Sequence, residues 1–121
     1  MINLCNDNTV RAIFNGSKLS MIIYNVTVKV EWSIAHDWEN WMKDVHIPEV
    51  LQTECFDKHQ FVRLLQVDET DGPTYAIQYY SPSLAKYDYY LQHHAASIRN
   101  KISEKWGQKY VDFKTLMQVV D

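Results

Sequence analysis

At 121 residues, 46% hydrophobic and 22% charged, the chain is long enough for one packed core and too short for two ordinary ones. That balance belongs to a folded globular chain and excludes global disorder. A formal net charge of −3 with scattered Lys and Arg leaves no electrostatic footprint for a phosphate backbone, so nucleic acid is not an expected partner.

Two cysteines, Cys5 and Cys55, show neither a CxxC spacing nor the density of a disulfide framework, which fits a reducing compartment while leaving a bridge between them open. Cys55 reads as an ordinary thiol near the start of the second strand, because no basic residue flanks it closely enough to lower its pKa. No apolar run approaches the roughly 20 residues that a spanning helix needs. The opening "MINLCNDNTVRAIFNGSKLS" lacks the apolar core of a signal peptide. The cytoplasm is the expected location, with no membrane partner.

Residues 1–20 carry no sustained period and read as an N-terminal tail or extension, with a single domain over 21–121. Limited proteolysis checks this division: residues 1–20 are expected to be cut first, and resistance equal to the remainder would contradict it.

From Met21, "MIIYNVTVKVEW" alternates Ile22, Tyr24, Val26, Val28 and Val30 against Ile23, Asn25, Thr27, Lys29 and Glu31, the period of a half-buried strand. Ser33 is placed to cap a helix whose apolar stripe is Ile34, Trp38, Trp41, Met42 and Val45. Pro48 disfavours a helical Ile47, so the helix is expected to stop near His46 and the chain to turn over Glu49–Thr53. "HQFVRLLQV" and "PTYAIQYY" flank the polar loop "DETDG" and form a hairpin. After "SPS" a longer helix runs to about Trp106 along Leu84, Tyr87, Leu91, Ala95, Ile98 and Ile102, with Gly107 as its C-cap. The last strand, "KYVDFKTLMQVV", alternates through Val111, Phe113, Met117 and Val119.

The order strand, helix, strand, strand, helix, strand is the split βαβ of an α+β ferredoxin-like sandwich: a four-stranded antiparallel sheet with two helices on one face. The other face is expected to carry Ile23, Asn25, Thr27, Lys29, Val62, Leu64, Gln66, Ala76, Gln78, Tyr80, Lys114, Leu116 and Gln118. Such a set is too apolar for a free surface and too polar for a dry core.

"MIIYNVTVKV", "WENWMKDVHIPEVLQTECF" and "YYLQHHAASIRNKISEKWGQKYVDFKTLMQVV" together resemble an uncharacterised bacterial domain-of-unknown-function family, of Bacteroidetes type, within the dimeric α+β-barrel superfamily. The resemblance spans Met21 to Val120. It implies a homodimer in which two protomers press their open sheet faces together, often leaving a pocket in each protomer between sheet and helices. Members of the superfamily include cofactor-independent monooxygenases, isomerases, haem-degrading enzymes and proteins without settled activity, so fold alone does not select a function.

Two histidines carry the chemical readings. His46 falls roughly 90° from the middle of the first helical stripe and His94 roughly 60° from that of the second. Both are placed to reach a pocket lined by Trp38, Trp41, Tyr87 and Tyr90, where an imidazole carries protons near neutral pH. The structural reading stands beside it: each ring bonds a nearby carbonyl, with His46 favoured at a helix C-terminus. Asn25 with Trp38 is similar to the Asn and Trp pair that cofactor-free monooxygenases of the superfamily use to hold a phenolic substrate, although no matching arginine stands out. His46 and Glu49 do not form a metal pair, since Pro48 interrupts the register and no HxH or HExxH occurs. No metal and no cofactor are expected. The sequence thus points to an α+β-barrel homodimer that binds a small aromatic or amphipathic molecule, the alternative being a structural or regulatory dimer without ligand. An RNA-binding role is disfavoured because "HQFVRLLQV" offers one Arg and no glycine-aromatic pattern.

Overall fold

The computed structural model describes residues 21–121; the reading of residues 1–20 as a tail lies outside them. The elements are β1 (Ile22–Val30), α1 (Ala35–Trp41), a π-helical turn (Met42–His46), α2 (Ile47–Gln52), β2 (Lys58–Arg63), β3 (Thr74–Ser81), α3 (Leu84–His93), α4 (Ala95–Trp106) and β4 (Tyr110–Gln118). The strands form one antiparallel sheet in the order β2-β3-β1-β4, the ferredoxin-like arrangement read from the sequence. Each expected helix is interrupted: the first by the π turn, the second at His94, whose φ of −129° leaves the helical range.

Ser33 does not cap α1. The chain enters through a turn in which the amides of Ile34 and Ala35 donate to the carbonyls of Glu31 and Trp32, so backbone acceptors do the work expected of the serine. Ser83, by contrast, accepts from the amide of Lys86 at 3.1 Å and starts α3. Gly107 closes α4 as expected, with φ 62° and its amide donating to the Ser103 carbonyl.

The first helix also runs past the expected stop. Ile47 N–H donates to the Met42 carbonyl, five residues back, and the wider turn relieves the clash that Pro48 would otherwise make with the carbonyl four residues before it. One inserted residue rotates the buried face: Val45, expected in the core, is 47% exposed, and His46 is 8% exposed in its place. The stripe that is actually buried is Ile34, Trp38, Met42, His46 and Val50.

β2 ends earlier than expected. Gln66 adopts a left-handed φ of 59°, and Asp68 accepts from the amide of Thr70, so the β2–β3 loop starts before the polar stretch. It closes at Gly72, where a Cβ would lie 1.7 Å from the Val30 carbonyl oxygen; only glycine lets the two backbones approach so closely.

β4 faces the opposite way from the expectation. Its register pairs Val26 with Lys114, Val28 with Asp112 and Tyr24 with Leu116, and directly paired residues share a sheet face. Asp112, Lys114 and Leu116 therefore lie on the helical side. Val111, Phe113, Thr115 and Met117 join Ile23, Asn25, Thr27 and Lys29 on the open side. Alternation in "YVDFKTLMQ" fixed the period but not the phase, since either face can be read as the apolar one. The core lies between sheet and helices around Trp38, Ile77, Tyr79, Val30 and Val50. Cys55 is fully buried and not a free thiol, which corrects its reading as an ordinary one.

Candidate functional site

A cavity of about 90 Å³ opens between the helix-facing side of β1, β3 and β4 and the helices above them, lined among others by Tyr24, His46, Tyr79, Tyr90, Ile98 and Arg99. A smaller space of about 30 Å³ adjoins it and shares Val26, His46, Tyr79, Ile102 and Asp112 while adding Trp38 and Met42. Its position follows from the fold: α3 packs over β1 and β3, and the helix-side residues Asp112, Lys114 and Leu116 of the edge strand β4 stay exposed.

The floor is aromatic. Tyr24 packs against Phe56, Tyr79 and Tyr90 with ring centroids 6.0, 6.1 and 5.9 Å apart, and Phe56 meets Tyr79 at 5.3 Å and Tyr90 at 5.0 Å. Such edge and offset contacts stabilise the cluster beyond its buried area. Polar tips project from this floor. Burial raises the phenols of Tyr24, Tyr79 and Tyr90, and each is raised further by neighbouring tyrosines, while the Arg99 guanidinium acts in the opposite direction on Tyr24 and Tyr90. All three are neutral at physiological pH. Tyr79, 2% exposed, has a buried hydroxyl with no hydrogen-bond partner.

The π turn delivers His46 to the same cavity. Its ring stacks on Trp41 at 5.4 Å and 25°, and Trp41 is held from behind by Trp106, edge-on at 5.8 Å. Burial pushes the imidazole down from 6.5 to about 4, with Glu49 pulling it partly back. His46 is 8% exposed, and its ring is held by the stack on Trp41 rather than by a carbonyl among the described residues. A buried polar group is ordinarily paired. The Tyr79 hydroxyl at this cavity is an exception.

The other residues expected at a site divide. Tyr90 lines the cavity and Trp38 the adjoining space. Trp41 and Tyr87 stand one layer behind, on His46 and on Tyr24 respectively. His94 lies at the α3–α4 junction beside Tyr89 and Tyr90, outside the set lining either space; burial and His93 lower its pKa. Asn25 is on the opposite face of the sheet, its amide donating to Thr27 Oγ1 at 3.0 Å, because consecutive strand residues point to opposite sides. Asn25 and Trp38 thus cannot act on one molecule within a protomer. Tyr24, Tyr79, Arg99, Asp112 and Lys114 were not expected at the site; two tyrosines on helix-facing strand positions are the sequence signal that could have indicated it. Among the described residues, no group of three or more His, Cys, Asp or Glu could hold a metal ion, and no helix is long and apolar enough to cross a membrane.

The unpartnered hydroxyl makes a simple prediction. Tyr79→Phe keeps the ring and removes a desolvated group, so the ligand-free protein is expected to gain about 1 kcal/mol. Urea denaturation measures it; a loss of stability would show that the hydroxyl is satisfied within the protein.

Solved structures share this architecture at low identity. A dimeric ferredoxin-like protein from an uncultured marine organism matches with a TM-score of 0.61 and 10% identity, over 84% of this chain and 97% of that one. A conserved protein of unknown function from Bacteroides thetaiotaomicron matches at 0.57 and 16%, over 84% and 99%. A monooxygenase from Streptomyces coelicolor in complex with the ligand nanaomycin D matches at 0.55 and 13%, over 88% and 93%. At these identities the likeness establishes the fold. Among curated proteins none matches the sequence. A family model described as "Domain of unknown function (DUF4286)" matches residues 21–120, and the chain belongs to that family.

Proposed function

We propose that the protein is a homodimer, joined through the open sheet face, in which each protomer binds a small aromatic or amphipathic molecule between sheet and helices. The observation that carries this reading is the convergence of the unpaired, buried Tyr79 hydroxyl and the largely buried, neutral His46 imidazole on one aromatic-lined cavity. Pockets of this kind, largely apolar with a few aimed polar groups, are what small ligands use. Leaving the Tyr79 hydroxyl unpaired costs roughly 1–3 kcal/mol, a cost that a bound partner removes. His46, neutral at physiological pH, offers one acceptor and one donor nitrogen to the ligand. Support for the dimer comes from the exposed Val111 and Phe113 on the open face and from the dimeric ferredoxin-like neighbour.

The test is thermal denaturation of the full chain with a panel of single-ring phenols, acids and amides. A saturable rise in Tm is expected for at least one class, because binding to the folded state alone stabilises it by mass action. A flat response to every class, together with no small molecule in extracts of the purified protein, would overturn the reading.

A further inference from the structure

The charges around the cavity narrow the ligand's chemistry, on the premise that the cavity binds a small molecule. Two carboxylates and two cations near it are already matched. Glu49 is held by Lys101 Nζ at 2.9 Å, and Asp112 lies 3.9 Å from Lys114 Nζ. Arg99, which lines the cavity and bears on both Tyr24 and Tyr90, makes no ion pair among the described residues. The charge left over at the mouth is a guanidinium, the group best shaped to grip a planar carboxylate with two parallel hydrogen bonds.

The interior adds to this bias. Tyr24, Tyr79 and Tyr90 each present a neutral O–H able to donate, and His46 supplies the imidazole, so the cavity is richer in donors than in obligate acceptors. A ligand made of acceptor oxygens satisfies the most groups at once. The scale admits no more than one ring, since an apolar cavity of roughly 150 Å³ takes benzene and the space here is about 90 Å³ with about 30 Å³ adjoining, open at the exposed Arg99.

We infer that the cavity takes a single-ring carboxylic acid, its ring against Tyr24, Tyr79 and Tyr90 and its carboxylate between the tyrosine hydroxyls and Arg99. Specificity for the acid over its neutral analogue then resides in Arg99, a residue exposed at the mouth with no part in the core. Electrostatic origin makes the preference sensitive to salt.

Calorimetric titration of the full chain with benzoate, benzamide and benzyl alcohol tests this. Benzoate is expected to bind about tenfold or more tighter than benzamide at low salt, a gap typical of a charge-assisted pair over a neutral one. Arg99→Gln is expected to erase the gap by weakening benzoate far more than benzamide, and Arg99→Lys to restore part of it. Equal binding of benzoate and benzamide, or an unaltered ratio in Arg99→Gln, overturns the acid assignment and leaves the pocket reading intact. No binding by any of the three, alongside the flat denaturation panel above, overturns both.

Discussion

Phe113→Asp is expected to convert the protein from dimer to folded monomer, raising the dissociation constant roughly 100-fold or more. Phe113 is 63% exposed in the protomer, beside Val111 at 66%, on the open face created by the β4 register. In the proposed dimer the same patch would meet its own copy across a two-fold axis, so one substitution would place two carboxylates in the interface. Within the protomer Phe113 supports no core, and an exposed substitution of this kind changes folding stability by only about 0.5 kcal/mol. Sedimentation separates the two effects. Leu65→Asp, at a residue 81% exposed in the β2–β3 loop, serves as the control and is expected to leave the dimer whole. A wild-type monomer, or a dimer indifferent to Phe113→Asp, would place the interface elsewhere.

The second large effect is a pH dependence of stability written by His46. Its folded-state value of about 4 against 6.5 for an ordinary imidazole means that between these pH values the unfolded chain holds a proton that the folded protein excludes. Stability therefore falls as pH drops from 6.5 to 4 and levels off below, by about 3 kcal/mol in all. His46→Gln removes the titration and is expected to flatten that stretch of the curve. Urea midpoints at pH 7, 6, 5 and 4 for both proteins give the answer. The same slope in both would mean that His46 protonates where it sits, with a partner the cavity does not provide. A ligand hydrogen-bonded to neutral His46 would steepen the wild-type curve, since acid would then expel it.

These expectations depend on features with unequal traces in the sequence. The strand order and the C-cap at Gly107 were legible because period and capping chemistry are local. The π turn was not: Pro48 signals a helix end by the ordinary rule, and only the packing of Ile47 and Val50 under the sheet carries the helix past it. That detour turns His46 inward and Val45 outward, so the histidine seemed marginal when read on an ideal 3.6-residue wheel. The phase of β4 failed for a different reason. Val111, Phe113 and Met117 are the more apolar set and read as core, whereas pairing with β1 sends Asp112 and Lys114 toward the helices and leaves the apolar set uncovered. An uncovered apolar sheet face of this kind is what the proposed second protomer would cover. Asn25 was placed correctly on the open face but could not share a pocket with Trp38, because the sheet separates them. The tyrosine cluster was overlooked because Tyr24 and Tyr79 fit the strand pattern as hydrophobes, and only three-dimensional packing shows that the Tyr79 hydroxyl has nothing to bond.

The central claim is that this cavity exists to be filled. Native mass spectrometry of the protein gently purified from its own source tests it most directly. The expected spectrum is a dimer carrying one small non-covalent adduct per protomer, released when Tyr79→Phe and His46→Gln are combined; the bare mass of the chains, unchanged by those substitutions, would contradict it.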